Sequence, residues 1–435
     1  MYNISKQIGI SSSKGFLTFI LVSCFVVNSF TQQPAFKKDS VVKADLMMQT
    51  FYTINHEPLY WLSSRKNIKR ANEWLSAIEI AKESGLVSRK LMTGEIRTAM
   101  LDKNLINKVL KENTDKQITS LVLNYIKELQ EFSAPFDYNE VSTPSRDSVY
   151  IHQLINSKDK GPVSKIVSAF DCKDHDYLVL KQFLKDSISD KNSVKYKSVI
   201  QSMNYLKYIS LNHQSEYIIV NIAETELRYY RNNQLTLQMK TVVGKKKNPT
   251  PTIASYITNV VTFPFWNVPH SIASKEFLPK VQKDERFLER NNLEVVDAKG
   301  NVIDDSDINW DKYTEDNFPY FFRGSTGPNN SLGVVKFNLG NPFSIYLHDT
   351  NSKGAFAKDY RFLSHGCIRL EKPVELANFL TKGKINVWDL KTGKKDTESK
   401  TIKLAQKVPV FIVYMLATVD GQKVIFLKDN YGLIQ

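Results

Sequence analysis

Thiols are scarce in this chain: Cys24, Cys172 and Cys367 are the only three in 435 residues. Three cysteines close at most one bridge, so disulfides are not the framework of the fold. The same scarcity suits an oxidising compartment, where a stray thiol would pair. Spacings of the C-x-x-C and H-x-x-x-H kind are missing too, which removes the usual zinc sites. Acidic residues run short against basic ones, 45 against 59, and the resulting +14 is spread over lysines rather than gathered into one arginine-rich arm. Charge alone is compatible with nucleic acid, but no zinc-finger, RRM or basic-helix pattern accompanies it; complementarity to an anionic wall or membrane surface is the milder reading. The apolar run from Gly15 to Val27 is too short for a transmembrane span. What remains is an ordinary folded composition, 42% hydrophobic and 11% aromatic, over a length that fits two or three domains.

Residues 1–30 read as an export signal, with Lys6 and Lys14 ahead of the apolar run and no acid before Asp39. Cleavage near Ser29 or Thr31 is favoured over lipidation at Cys24 and over a retained membrane anchor. From 40 to 210 the pattern is helical. Ala71, Trp74, Leu75 and Ile78 share one face of a helix that Gly85 ends, and Ile118, Leu121, Val122, Tyr125, Ile126 and Leu129 repeat the spacing. No chemistry-bearing constellation appears there, and Cys172 reads as an exposed passenger. Near 215 the period changes from 3.6 to 2: strands at Tyr217 to Ile222 and Leu227 to Tyr230, a turn at Asn232-Asn233, and alternation from Leu235 to Val243. Residues 264–325 interrupt the sheet with a charged helical stretch, Ser274 to Arg290, broken at Pro279, and an acidic loop from Asp304 to Asp316. Proline-flanked and followed by Gly324-Ser325-Thr326-Gly327, this insertion reads as a cover over a site. Strands follow at Leu332 to Leu339 and Phe343 to Leu347, then a helix opened by Pro373, an exposed lysine-rich stretch from Lys391 to Lys407, and a closing hairpin after Val408.

The chemistry concentrates between Tyr346 and Leu370. Tyr346-Leu347-His348-Asp349 precedes Ser364-His365-Gly366-Cys367-Ile368-Arg369, placing a base, a sulfur, a flexible glycine and a cation close together. A thiol attacks a carbonyl only as thiolate and needs a positive or basic group beside it. His348, at the end of an apolar strand, is assigned as general base, and His365, in the loop with the sulfur, as a shaping residue. Gly366 lets the backbone turn, so that the amides of Gly366 and Cys367 can face an oxyanion, and the helix opened by Pro373 would point its N-terminus at the sulfur. A zinc site of His348, His365 and Cys367 lacks a fourth ligand. Asp349 orients the base by side chain or by carbonyl, Tyr346 lies on the same strand face as His348, and Arg369 serves a substrate carboxylate or the loop.

His348 and the S-H-G-C-I-R run, Ser364 to Arg369, together resemble the signature of L,D-transpeptidases with a YkuD-type catalytic domain, in the lid-bearing (YcbB-like) form. V-N-I-x-x-x-x-L-x-x-Y-R from Val220, then V-V-G and T-P-T, resemble the opening of that domain. The resemblance implies an α+β protein: a helical scaffold domain over 40–210, then a mostly β catalytic domain over 215–435 with a lid at 264–325 that includes Trp266 as a substrate contact. No counterpart of the three-helix peptidoglycan-binding module of larger members is visible. It further implies 3→3 cross-linking of peptidoglycan stem peptides in the cell envelope, with the periplasm as the expected compartment, through a Cys367 thioester with release of D-Ala and without metal or organic cofactor. Water as acceptor would make the same residues an L,D-carboxypeptidase or endopeptidase; a sortase-like enzyme or a non-catalytic wall-binding scaffold are the other readings. Oligomeric state is not legible.

Overall fold

The computed structural model describes residues 39–83, 87, 92–131, 136–141, 144–187, 190–284, 286–392 and 398–434. The export signal, Cys24 and Gly85 lie outside them. Two units are distinguished, Met1–Lys43 and Ala44–Gln435, and every element from Arg65 onward belongs to the second. Among the described residues no helix is long and apolar enough to cross a membrane.

Helices dominate up to Asn212. The two periodic stretches form α1 (Arg65–Glu83) and α2 (Lys108–Gln130), and their stripes are buried: Ala71, Trp74, Leu75 and Ile78 against Ile118, Val122, Tyr125 and Ile126. Asn107 caps α2, its side chain accepting from the amides of Val109 and Leu110. Asp115, fully buried in α2, accepts the amides of Tyr60, Trp61 and Leu62 and so fixes that aromatic segment. Two later helices, α3 (His175–Ser187) and α4 (Val194–Asn212), belong to a different core. Tyr177, Leu180, Val199 and Met203 pack with Ile219, Phe411 and Val413 of the sheet, and residues Tyr138–Asn139 add a short parallel strand to it. Cys172 joins this second core half-buried, because the polar stretch around it folds under α3; it is not exposed as the sequence suggested, and both Cys172 and Cys367 are free thiols.

The β region is one closed sheet. In chain order its strands are β1 (Glu216–Asn221), β2 (Glu226–Arg231), β3 (Gln234–Gly244), β4 (Ile253–Thr262), β5 (Val335–Leu339), β6 (Leu347–His348), β7 (Ile368–Leu370) and β8 (Lys400–Val413). Neighbours run β4-β5-β6-β7-β3-β2-β1-β8, and β8 pairs back onto β4, closing the circuit. Asn232 and Asn233 adopt φ of 50° and 61°, the left-handed pair that a two-residue turn between β2 and β3 demands. The interior holds Ile218, Val220, Leu227, Val260, Phe337, Leu347, Ile368 and Ile412.

Two sequence expectations about elements are corrected. Phe343 to Tyr346 is not strand: Asn341 accepts the amides of Phe343 and Ile345 and donates to the Ile345 carbonyl, while Ser344 turns left-handed at φ 56°, so only two residues of β6 remain extended. Pro279 does not break the insertion's helical stretch; it sits in the first turn of helix Leu278–Lys283, where its missing N–H costs nothing. The lysine-rich stretch is exposed along most of its described length, as read from the sequence, and from Lys400 onward it is strand, the first half of β8 paired to β4. The insertion has a four-stranded sheet and an aromatic core of its own, around Trp310, Phe318 and Phe322.

Candidate active site

Three adjacent strands set the site. Across the β5–β6 pair Lys336 stands opposite His348, and across the parallel β6–β7 pair His348 stands opposite Arg369. Residues in register share a face, and Tyr346 and Cys367 stand just before these two strands, where the Ile368 amide donates to the Tyr346 carbonyl at 3.1 Å. Contacts agree with that placement. The Tyr346 ring meets the His348 ring edge-on at 5.5 Å, Lys336 Nζ lies 4.1 Å over the Tyr346 ring, and Tyr346 acts on the Cys367 sulfur so as to lower its pKa.

His348 is buried, and its Nδ1 lies 2.5 Å from the Asp349 carbonyl. A carbonyl only accepts, so Nδ1 carries the proton and Nε2 is left with its lone pair, a base by tautomer. The alternative left open by sequence is thereby resolved: the Asp349 carbonyl holds the ring, while its carboxylate accepts the Val334 amide and pairs with Lys353. Burial, then the charge of Arg369, with smaller pushes from Lys336 and Lys353, drives the imidazole down to about 3. It is neutral throughout the physiological range.

Cys367 is half-buried, and its Sγ points at the Ser344 carbonyl, 3.7 Å away. Burial raises its pKa, opposed by Tyr346, Lys336 and Arg369. Among the described residues no hydrogen bond joins sulfur to imidazole. Tyr346 neighbours both.

The loop before the sulfur is braced both by its own residues and by Thr250 and Tyr431, which the sequence did not connect to it. Gly366 sits at φ +118°, and a Cβ there would meet Ile345 Cδ1 at 3.1 Å. Its amide donates to Ser364 Oγ at 3.1 Å, and Ser364 Oγ donates to the Cys367 carbonyl at 2.6 Å. The Gly366 N–H is therefore engaged and does not face an oxyanion position, a correction to the sequence expectation; Gly366 contributes its conformation instead. Thr250 donates to the Gly366 carbonyl at 2.7 Å, and Tyr431 ties Thr250 to the Gly244 carbonyl. Lys372, just before the helix opened by Pro373, lies against Gln238 and Met239. Lys336 was also missed, since alternation within β5 puts it on the face opposite Val335 and Phe337 but says nothing of its cross-strand partner.

The insertion reaches this face. Trp266, half-buried, packs edge-on against Phe277 at 5.9 Å and lies close enough to Tyr346 to act on its hydroxyl, so it is neither plain core nor an open surface ring. His365 is exposed, with its Nε2 2.9 Å from Glu276 in the insertion and 3.2 Å from Lys245 Nζ. Among the described residues no three His, Cys, Asp or Glu side chains converge as a metal site.

This geometry lies inside a stretch that other proteins share. Residues 215–398 match the family model for YkuD, the L,D-transpeptidase catalytic domain. A Haemophilus influenzae protein with the provisional name L,D-transpeptidase is 34% identical over 224 residues, covering 49% of this chain and 44% of its own. The chain thus spans less than half the length of that relative. Among solved structures, an Enterococcus faecium L,D-transpeptidase mutant matches at 13% identity over 46% of this chain and 50% of its own, TM-score 0.24. A Mycobacterium smegmatis L,D-transpeptidase matches at 12% over 46% and 58%, TM-score 0.23; at such scores a superposition carries no structural argument. On the family match and the Haemophilus relative, residues 215–398 of this chain are similar to the YkuD-type L,D-transpeptidase catalytic domain.

Proposed function

We propose that this protein is an exported L,D-transpeptidase that joins peptidoglycan stem peptides through a thioester on Cys367. One observation carries the reading: within the matched domain, a half-buried thiol, a neutral imidazole with Nε2 free and two cations stand together at three adjacent strands. Cys367 attacks the carbonyl between the third stem residue and terminal D-Ala, while His348 Nε2 takes the thiol proton and returns it to the departing amine. D-Ala leaves, and the acyl group stays on sulfur. A side-chain amine of a neighbouring stem then displaces the sulfur, giving a 3→3 link. With the Gly366 amide engaged by Ser364, the Cys367 amide is the loop donor left for the oxyanion, worth about 3 kcal/mol. Trp266 and the insertion cover the donor, and Arg369 faces a carboxylate of it.

Intact-mass spectrometry after exposure to a tetrapeptide stem tests this. The reading requires a tripeptidyl adduct on Cys367, absent in Cys367→Ala, and cross-linked dimers when an acceptor stem is supplied. A folded protein that forms no adduct overturns it; tripeptide without dimers would make water the acceptor and the protein a hydrolase.

A further inference from the structure

Lys336 and Arg369 are an unusual pair. Both are half-buried on one face beside the sulfur, one on each side of His348 in direct register. Among the described residues neither has a carboxylate partner, although this face is only strands away from paired carboxylates such as Asp349 with Lys353. Burial lowers the pKa of both, opposed in each case by Cys367, the one titratable group among the described residues that favours their charged form. Holding two cations partly out of water without an acid is costly, and the cost is recovered when an anion arrives. Adjacent strands are about 4.8 Å apart, so the Cα atoms stand about 10 Å from each other, a gap that two long side chains bridge.

We propose that Lys336 and Arg369 together form a carboxylate-binding subsite beside Cys367, which takes the carboxylate of the acyl donor nearest the bond that is cut. This rests on the acyl-transfer reading and adds to it a residue, Lys336, and a requirement on the substrate: a free carboxylate within one residue of the scissile carbonyl. Arg369 supplies a planar fork suited to two carboxylate oxygens, and Lys336 a point charge held over the Tyr346 ring. The two occupy opposite flanks of the base, so a carboxylate held between them sets the carbonyl in front of the sulfur rather than merely near it.

Alkylation of the full-length protein tests the subsite without its substrate. Iodoacetate carries a carboxylate one carbon from iodide; iodoacetamide is its neutral counterpart. In both reactions the S–C bond forms as the C–I bond breaks and iodide leaves, and the thiolate fraction cancels in the ratio of the two rates. At Cys367 that ratio should favour iodoacetate by about tenfold over the ratio at free cysteine, as one well-placed cation pair would give. It should fall by about fivefold in Lys336→Met, fall further in the double variant with Arg369→Met, and recover in Lys336→Arg. A ratio equal to that of free cysteine, or one unmoved by either substitution in folded protein, overturns the subsite. A second arm compares the tetrapeptide stem with its C-terminal amide: wild type should show a raised KM for the amide, and Lys336→Met should narrow that difference by about fivefold. If iodoacetate is favoured but neither peptide acylates Cys367, the transpeptidase reading fails and the subsite stands. If peptides acylate but the acid has no advantage, the subsite fails and the transpeptidase reading stands.

Discussion

At the scale of single residues, the protonation of Cys367 and His348 decides how the site works. Two shifts run in opposite senses: burial and Arg369 hold the imidazole down at about 3, and burial pushes the thiol above its ordinary value. A neutral imidazole cannot form a resting ion pair with a thiolate, so ionisation of the sulfur should follow its own raised pKa. Iodoacetamide alkylation of Cys367 should therefore climb about tenfold per pH unit from pH 6 to beyond about 8.5, with no shoulder near 6.5. In His348→Asn that profile should keep its shape, while acyl transfer from peptide falls by about 10²–10⁴. A thiolate plateau below neutrality that vanishes in the variant would mean that a resting ion pair exists after all. At this scale the sequence was legible where residues are neighbours along the chain. The Ser364-to-Arg369 run and His348 are such residues, whereas Lys336, Thr250 and Tyr431 reach the site through cross-strand register and hydrogen bonds that no spacing announces.

Elements place the sulfur by a loop whose shape hangs on one glycine. Gly366 at φ +118°, 3.1 Å from Ile345 Cδ1 for any Cβ, also passes its amide to Ser364 Oγ. Gly366→Ala should cost about 1–3 kcal/mol of backbone strain and should displace Cys367 as well. The comparison is Gly300→Ala, at φ +85° with nothing within 4 Å of the added carbon, which carries a similar backbone penalty far from the sulfur. Both should lower the melting temperature, but only Gly366→Ala should slow alkylation of Cys367. Equal Cys367 reactivity in the two would remove the loop's role. The helices α1 and α2 and the Asn232-Asn233 hairpin were legible because apolar period and turn chemistry agree there. Phe343 to Tyr346 misled because a side-chain amide, Asn341, competes successfully with the apolar pattern for the backbone.

The whole molecule raises the question of whether its helical half is a scaffold apart or a wall of the β region. Packing argues for the second as far as α3 and α4 are concerned. Tyr177 and Leu180 of α3 and Val199 of α4 are fully buried with Phe411 and Val413 of β8 in a core distinct from that of α1 and α2. β8 is also the strand that closes the sheet, paired with β1 on one side and β4 on the other, and β4 runs through β5 to the strand that bears His348. Loosening α3 should therefore be felt in the closure strand. Leu180→Ala removes a fully buried side chain and should cost about 2–5 kcal/mol. If α3, α4 and β8 open as one cooperative unit, native-state hydrogen exchange should show the amides of α4 and of Val410 to Val413 losing protection by the same free energy in that variant. The amides of α2, in the other core, should lose less. Loss confined to α3 and α4, with β8 unchanged, would mean that the helical region and the closed sheet unfold as independent domains, and that the barrier between them falls at the linker near residue 213 rather than inside the first core.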